Sequence, residues 1–121
     1  ISILGLAFKA NTDDIRESSS INMINSLVSK GVSINAYDPI ANNEMGKLIN
    51  NINYFDNLDD AVNNVDGVVV MTEWNEFRSL DLKKIKSKMS GNIFLDTRNI
   101  ISMDELSSIG FVYDNIGRIK K

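Results

Sequence analysis

The run Gly67-Val68-Val69-Val70-Met71 constrains this chain more than any other stretch. A strand with one wet face alternates apolar and polar residues, and this run does not alternate. β-Branched side chains at successive positions need apolar cover on both faces, which parallel sheets obtain from helices packed above and below. The opening residues, Ile1 to Ala7, form another apolar run that reads as a buried strand. Two such strands in one short chain predict a layered α/β domain.

The segments around them supply the helices. Ser18, Ser19 or Ser20 can cap a helix, because a hydroxyl accepts from the free backbone N–H groups of a first turn. Ile21, Met23, Ile24, Leu27 and Val28 share one face of that helix, and Gly31 ends it. Val32, Ile34 and Ala36 alternate with Ser33 and Asn35 as a strand that Asp38-Pro39 stops. Residues 40–50 read as a short helix with Met45, Leu48 and Ile49 inward, followed by Tyr54-Phe55 as a short third strand. Asn57 caps a helix running through Val65, with Leu58, Ala61, Val62 and Val65 on its buried face. Past the central run, Trp74 and Phe77 fall in a loop or helical turn. Leu82, Ile85 and Met89 mark a helical face, with Lys83, Lys84, Lys86 and Lys88 outward as a solvated one. Ile93-Phe94-Leu95 is a fifth strand. Ser102-Met103-Asp104-Glu105 has the capping-box pattern, Met103, Leu106 and Ile109 face inward, and Gly110 ends the helix before a short last strand at Val112-Tyr113. Strands alternating with helices predict right-handed crossovers and a Rossmann-like three-layer α/β/α domain with a mostly parallel sheet of five to six strands. By analogy with such folds, the strand order is expected to be 3-2-1-4-5-6.

A chain of 121 residues, 43% hydrophobic, is expected to be one domain spanning 1–121. A net charge of −3 argues against nucleic-acid binding, which needs basic surface to displace counterions. With neither cysteine nor histidine, the chain offers no thiolate metal site, no cysteine nucleophile and no imidazole base, so no catalytic residue and no metal ligand are assigned. No apolar run approaches the length of a membrane span. Ile1 already lies inside a strand pattern, so a fragment of a longer protein is expected.

Polar residues gather just past the strand ends: Phe8-Lys9, Asp38, Thr72-Glu73 and Asp96-Thr97-Arg98. In a parallel sheet these ends share one edge, and that edge is where α/β domains bind ligands. Lys9 and Arg98 on opposite sides of a crevice between strands one and four would suit an anion with more than one phosphate. Each residue also has a plainer reading. Lys9 reads equally as a solvated loop lysine, Arg16 as an ion pair with neighbouring Asp13, Asp14 or Glu17, and Arg98 as a strand-end pair with Asp96. Asp38 reads either as a ribose-holding acid or as a turn residue beside Pro39, and Trp74 and Phe77 as core. No G-x-G-x-x-G follows the first strand, which argues against a complete dinucleotide site.

Five ordered motifs carry a family resemblance: Gly5-Leu6-Ala7-Phe8-Lys9 with Asn11-Thr12-Asp13-Asp14-Ile15-Arg16-Glu17-Ser18; Tyr37-Asp38-Pro39; Thr72-Glu73-Trp74-Asn75-Glu76-Phe77; Asp96-Thr97-Arg98-Asn99; and Gly110-Phe111 with Ile116-Gly117-Arg118. Together they resemble the C-terminal, UDP-binding domain of the UDP-glucose/GDP-mannose dehydrogenase family. The resemblance implies a part of a cytoplasmic, homodimeric oxidoreductase that uses NAD. It implies a UDP-sugar as ligand and the NAD-binding domain of the same parent chain as partner. A cysteine outside this region would form the covalent intermediate, so the chain alone is expected to be inactive. Phe8, Lys9 and Arg98 match positions that bind the nucleotide sugar, and Arg16 matches an arginine that reaches NAD. The Thr-Glu-Trp-Asn-Glu-Phe stretch looks like members that oxidise UDP-glucose to UDP-glucuronate. The alternatives are members acting on GDP-mannose or UDP-N-acetyl-mannosamine, a free-standing nucleotide-binding module, a structural dimerisation domain, or a receiver-like signalling domain using Asp13-Asp14 and Asp96.

Overall fold

Gly5 ends the first strand sooner than its apolar run suggests. The computed structural model describes residues 1–115, and in it β1 covers Ser2–Leu4 only. Gly5 turns the chain with φ +102°, a conformation open to glycine because it lacks a Cβ. The remaining elements are α1 (Ser19–Ser29), β2 (Asn35–Tyr37), α2 (Asn42–Leu48), β3 (Asn53–Tyr54), α3 (Leu58–Ala61), β4 (Gly67–Val70), α4 (Asn75–Arg78), α5 (Leu82–Lys88), β5 (Ile93–Asp96), α6 (Met103–Ile109) and β6 (Val112–Asn115). The fifth motif's Ile116, Gly117 and Arg118 lie outside the described residues.

The six strands run parallel, as the alternation of strands and helices predicts, in the order β3-β2-β1-β4-β5-β6 expected by analogy. β4 is central, with Val68, Val69 and Val70 opposite Ser2, Ile3 and Leu4 on one side and Phe94, Leu95 and Asp96 on the other. The period of two sends Val68 and Val70 into one core with Leu4, Phe94, Phe77, Ile85 and Leu106. Val69 goes into the other, with Ile3, Ala36, Ile24 and Met45. Helices α1 and α2 cover the second face, and α3 to α6 cover the first. This is the three-layer arrangement that the unbroken valine run requires. No helix among the described residues is long and apolar enough to cross a membrane.

Capping follows sequence closely. The side chains of Ser18, Asn57 and Ser102 accept from Ser20, Asp60 and Glu105 backbone N–H groups respectively. Gly31 and Gly110 take the left-handed conformation after α1 and α6.

Three expectations need correction. The second strand lies at Asn35–Tyr37 instead of 32–36, because its register is set by pairing with the three residues of β1. The helix after Asn57 stops at Ala61, and Asn64 at φ 60° carries the chain off the helical path, although Val62 and Val65 are buried as expected. Leu48 is 59% exposed: Met45 and Ile49, four residues apart, fill the inner stripe, and Leu48 points away from it.

Candidate nucleotide site at the strand ends

The edge begins with a buried carboxylate. Asp38, just past β2, is only 2% exposed. Its Oδ2 accepts hydrogen bonds from Leu6 N (2.8 Å), Ala7 N (3.0 Å) and Trp74 Nε1 (3.1 Å), and its Oδ1 from Ile40 N and Ala41 N (both 2.9 Å). Leu6 and Ala7 stand where a glycine-rich fold turns its amides toward a pyrophosphate. Here those amides donate to an acid of the chain itself. Asp38 is therefore an internal tie joining the ends of β1, β2 and β4. Trp74 and Phe77 are core residues, and the indole N–H accounts for the polar end of Trp74.

Serine and threonine hydroxyls fix the turn after β1. Ser18 Oγ donates to Leu6 O (2.8 Å), Ser20 Oγ to Gly5 O (2.7 Å) and Thr72 Oγ1 to Ala7 O (3.0 Å). Sequence reasoning assigned the serines to helix capping alone. Their reach back over the preceding loop depends on tertiary proximity that no local pattern states.

From this clamp projects the loop of residues 8–17. Phe8 N donates to Asp14 O (2.7 Å), which closes its neck, and Asn11 and Glu17 sit at positive φ. Phe8 and Lys9 are exposed. Lys9 makes no ion pair among the described residues and lends its field to Asp14. Arg16 forms a two-pronged pair with Asp14, Nε to Oδ1 at 3.0 Å and Nη2 to Oδ2 at 2.8 Å, while its side chain stays 87% exposed. Hydrogen bonds from the Arg16 side chain and backbone hold the Asp14 carboxyl down at about 2, from an ordinary 3.8. The folded-state value is depressed, so the pair's contribution is complete above pH 3.8 and is lost as pH falls through about 2.

Arg98 lies across the edge, past β5. Asp96 does not take its guanidinium. Buried Asp96 accepts from the backbone N–H groups of Arg98 (3.0 Å), Ile100 and Ile101 (2.8 Å each), shaping the turn that presents Arg98. Arg98 Nε donates to Met71 O (2.8 Å) and lies 3.5 Å from Glu73 Oε2, and the Nη groups make no hydrogen bond among the described residues. Arg98 borders a groove of about 440 Å³ between α1 and the ends of β4 and β5, with Ser19, Asn22, Met23, Ser26, Met71 and Thr97. The sequence pattern singles out neither Asn22 nor Ser26, which only the fold brings beside Arg98. Lys9 does not line this groove, so the two cations expected to flank one crevice stand apart in the domain by itself. A larger cavity of about 580 Å³ opens at the opposite edge, around Ser33, Asn35, Asn63, Asn64 and Asp66, and it carries a carboxylate but no cationic side chain.

The receiver-like alternative does not assemble. Asp14 is paired with Arg16 and Asp96 is buried under backbone amides. The lysines of α5 are a polar face, with Lys84 reaching Asp59 of α3 at 3.0 Å.

Comparison with known proteins gives the family and the fold. The sequence model described as "UDP-glucose/GDP-mannose dehydrogenase family, UDP binding domain" matches residues 2–103. The UDP-glucose 6-dehydrogenases of Rickettsia bellii and Rhizobium meliloti are 40% and 41% identical over 97% and 98% of this chain. The chain spans about a quarter of their length, 27% in each case. Among solved structures, the NDP-N-acetyl-D-galactosaminuronic acid dehydrogenase of Methanosarcina mazei superposes with a TM-score of 0.80 at 32% identity, over 96% of this chain and 24% of that one. The UDP-glucose dehydrogenase of Pyrobaculum islandicum gives 0.67 at 30% identity, over 78% and 21%. With its motifs, its strand order and its sequence in agreement, this chain belongs to the UDP-glucose/GDP-mannose dehydrogenase family and corresponds to the family's UDP-binding domain.

Proposed function

We propose that the chain is the sugar-nucleotide-binding domain of an NAD-dependent UDP-glucose 6-dehydrogenase, a larger parent that oxidises UDP-glucose to UDP-glucuronate. The observation that carries this reading is Arg98: its Nε is anchored on the Met71 carbonyl, and both Nη groups, unbonded among the described residues, are placed to meet an anion at the ligand-binding edge of a parallel sheet. A planar fork held in that way matches the oxygens of a phosphate. Lys9 supplies a second, compact charge from the loop after β1, and Phe8 beside it offers an exposed apolar face. The sugar, the cofactor and the reacting cysteine belong to the rest of the parent, whose NAD-binding domain would face this edge. The names of the curated relatives favour UDP-glucose over other sugar nucleotides.

Titration calorimetry with UDP tests the assignment. The unmodified chain should bind weakly, since part of the cleft is elsewhere. Arg98→Ala and Lys9→Ala should each weaken binding by about 1.5–3 kcal/mol, the range for a hydrogen bond to a charged group. Unchanged affinity in both variants contradicts the site.

Arg16 is assigned to NAD. It is tied to Asp14 and almost wholly exposed at the far end of the loop, and it does not border the Arg98 groove. Arg16→Ala should leave UDP affinity within about twofold, a difference of about 0.4 kcal/mol. In the parent it should raise the KM for NAD more than that for the sugar nucleotide. Loss of UDP binding by folded Arg16→Ala would place this arginine on the other ligand.

A further inference from the structure

We infer that Glu73 is a positioning residue for nucleotide binding, acting through Arg98 without touching the ligand; the inference rests on the assignment of Arg98 proposed above. Glu73 follows β4, and its Oε2 stands 3.5 Å from Arg98 Nε, the same nitrogen that donates to Met71 O at 2.8 Å. Both side chains are 33% exposed, so the pair is partly shielded from water. One hydrogen-bond acceptor, the Met71 carbonyl, and one carboxylate converge on one corner of the guanidinium, and no acceptor among the described residues takes the Nη groups. A guanidinium gripped at Nε has its remaining fork aimed away from that grip. Glu73 meets the arginine at Nε and does not border the groove that Arg98 borders, so its carboxylate is not part of that groove's lining.

The arrangement answers a specific cost. A free arginine loses much rotamer freedom when it clamps a ligand, and holding it in the bound orientation beforehand removes part of that loss. The Met71 carbonyl fixes a point, and the Glu73 carboxylate adds charge that favours this rotamer over one extended into water. The anion then meets a fork already turned toward it, with one of the arginine's five N–H donors spent on orientation.

Two measurements on the full chain test this. Glu73→Ala should weaken UDP binding about tenfold, and Glu73→Gln, which keeps the shape and removes the charge, should lose nearly as much. In the Arg98→Ala background the Glu73→Ala change should have no further effect, because nothing is left to position. Full additivity of the two substitutions, or affinity in Glu73→Ala equal to or tighter than in the parent, would overturn the inference while leaving Arg98 as a ligand residue. The Hε resonance of Arg98 in 15N-labelled protein gives a reading that needs no ligand. Its exchange with water should accelerate severalfold in Glu73→Ala and stay fast in Glu73→Gln, which lacks the charge. An unchanged rate refutes the positioning role even if the isolated chain binds UDP too weakly to measure, an outcome that would count against the proposed function instead.

Discussion

Alanine at position 38 should cost the domain about 4 kcal/mol or more of unfolding free energy, a large share of the 5–15 kcal/mol typical of a natural domain. The Asp38 carboxylate accepts from five N–H groups, four on the backbone and one on Trp74, in a site that is 2% exposed. Removing it strands several buried donors at once, and each unpaired buried polar group costs about 1–3 kcal/mol. Asp38→Asn should be intermediate, because the amide retains one acceptor oxygen but brings an NH₂ against donors that need a second. Urea unfolding followed by tryptophan fluorescence measures both, since Trp74 is the chain's single tryptophan and shares the tie. The alanine variant should also show red-shifted Trp74 emission in any folded fraction. If the alanine variant does not fold, the asparagine variant carries the test. Variants within 1 kcal/mol of the parent would show that the tie is not what joins these strand ends.

Gly5→Ala should be comparably damaging, for a different reason. A Cβ at residue 5 would lie 2.5 Å from Thr72 Oγ1, 2.6 Å from Thr72 Cβ and 2.7 Å from Thr72 N. The last of these is backbone of the segment leaving β4, which cannot swing aside as a side chain can. The backbone conformation at φ +102° adds roughly 1–3 kcal/mol for a residue with a Cβ, and relieving the clash adds about 1–3 kcal/mol more. Relief would also push Thr72 off the Ala7 carbonyl that it holds at 3.0 Å. Thermal unfolding should show a loss of several degrees or more, and UDP affinity should fall with it because Thr72 holds the Ala7 carbonyl, two residues before Lys9. An alanine variant as stable as the parent would mean that the β1 and β4 ends are farther apart than described. Gly31 makes the control: it also has positive φ, but a Cβ there meets nothing within 4 Å, so Gly31→Ala should cost only the backbone part.

These two residues also mark how far the sequence could be read. The valine run at 68–70 is visible as a doubly covered strand because burial on both faces leaves its imprint on consecutive residues, whereas strand order came only by analogy with similar folds. Caps are visible because a serine or asparagine and the amide it serves lie within three residues. Asp38 could be read only as a ribose ligand or a turn residue. Its role comes from amides 31 and 32 positions earlier and an indole 36 positions later, which meet only in the folded sheet. Arg98 is similar. Its neighbour Asp96 invites a local pair, but the preference of that carboxylate for three backbone amides frees the guanidinium for a carbonyl 27 residues away. Leu48 shows the opposite failure, a local pattern that placed an apolar side chain inward when the stripe was already full.

The central claim is that a uridine diphosphate binds at the C-terminal edge of this sheet through Arg98. The most direct measurement is a titration of 15N-labelled chain with UDP, followed residue by residue. The account predicts saturable shifts at Arg98, Thr97 and the end of β4, with smaller ones at Phe8 and Lys9, all suppressed in Arg98→Ala. Shifts confined to the opposite edge, around Asn63, Asn64 and Asp66, or no saturable shift at any UDP concentration, would contradict it.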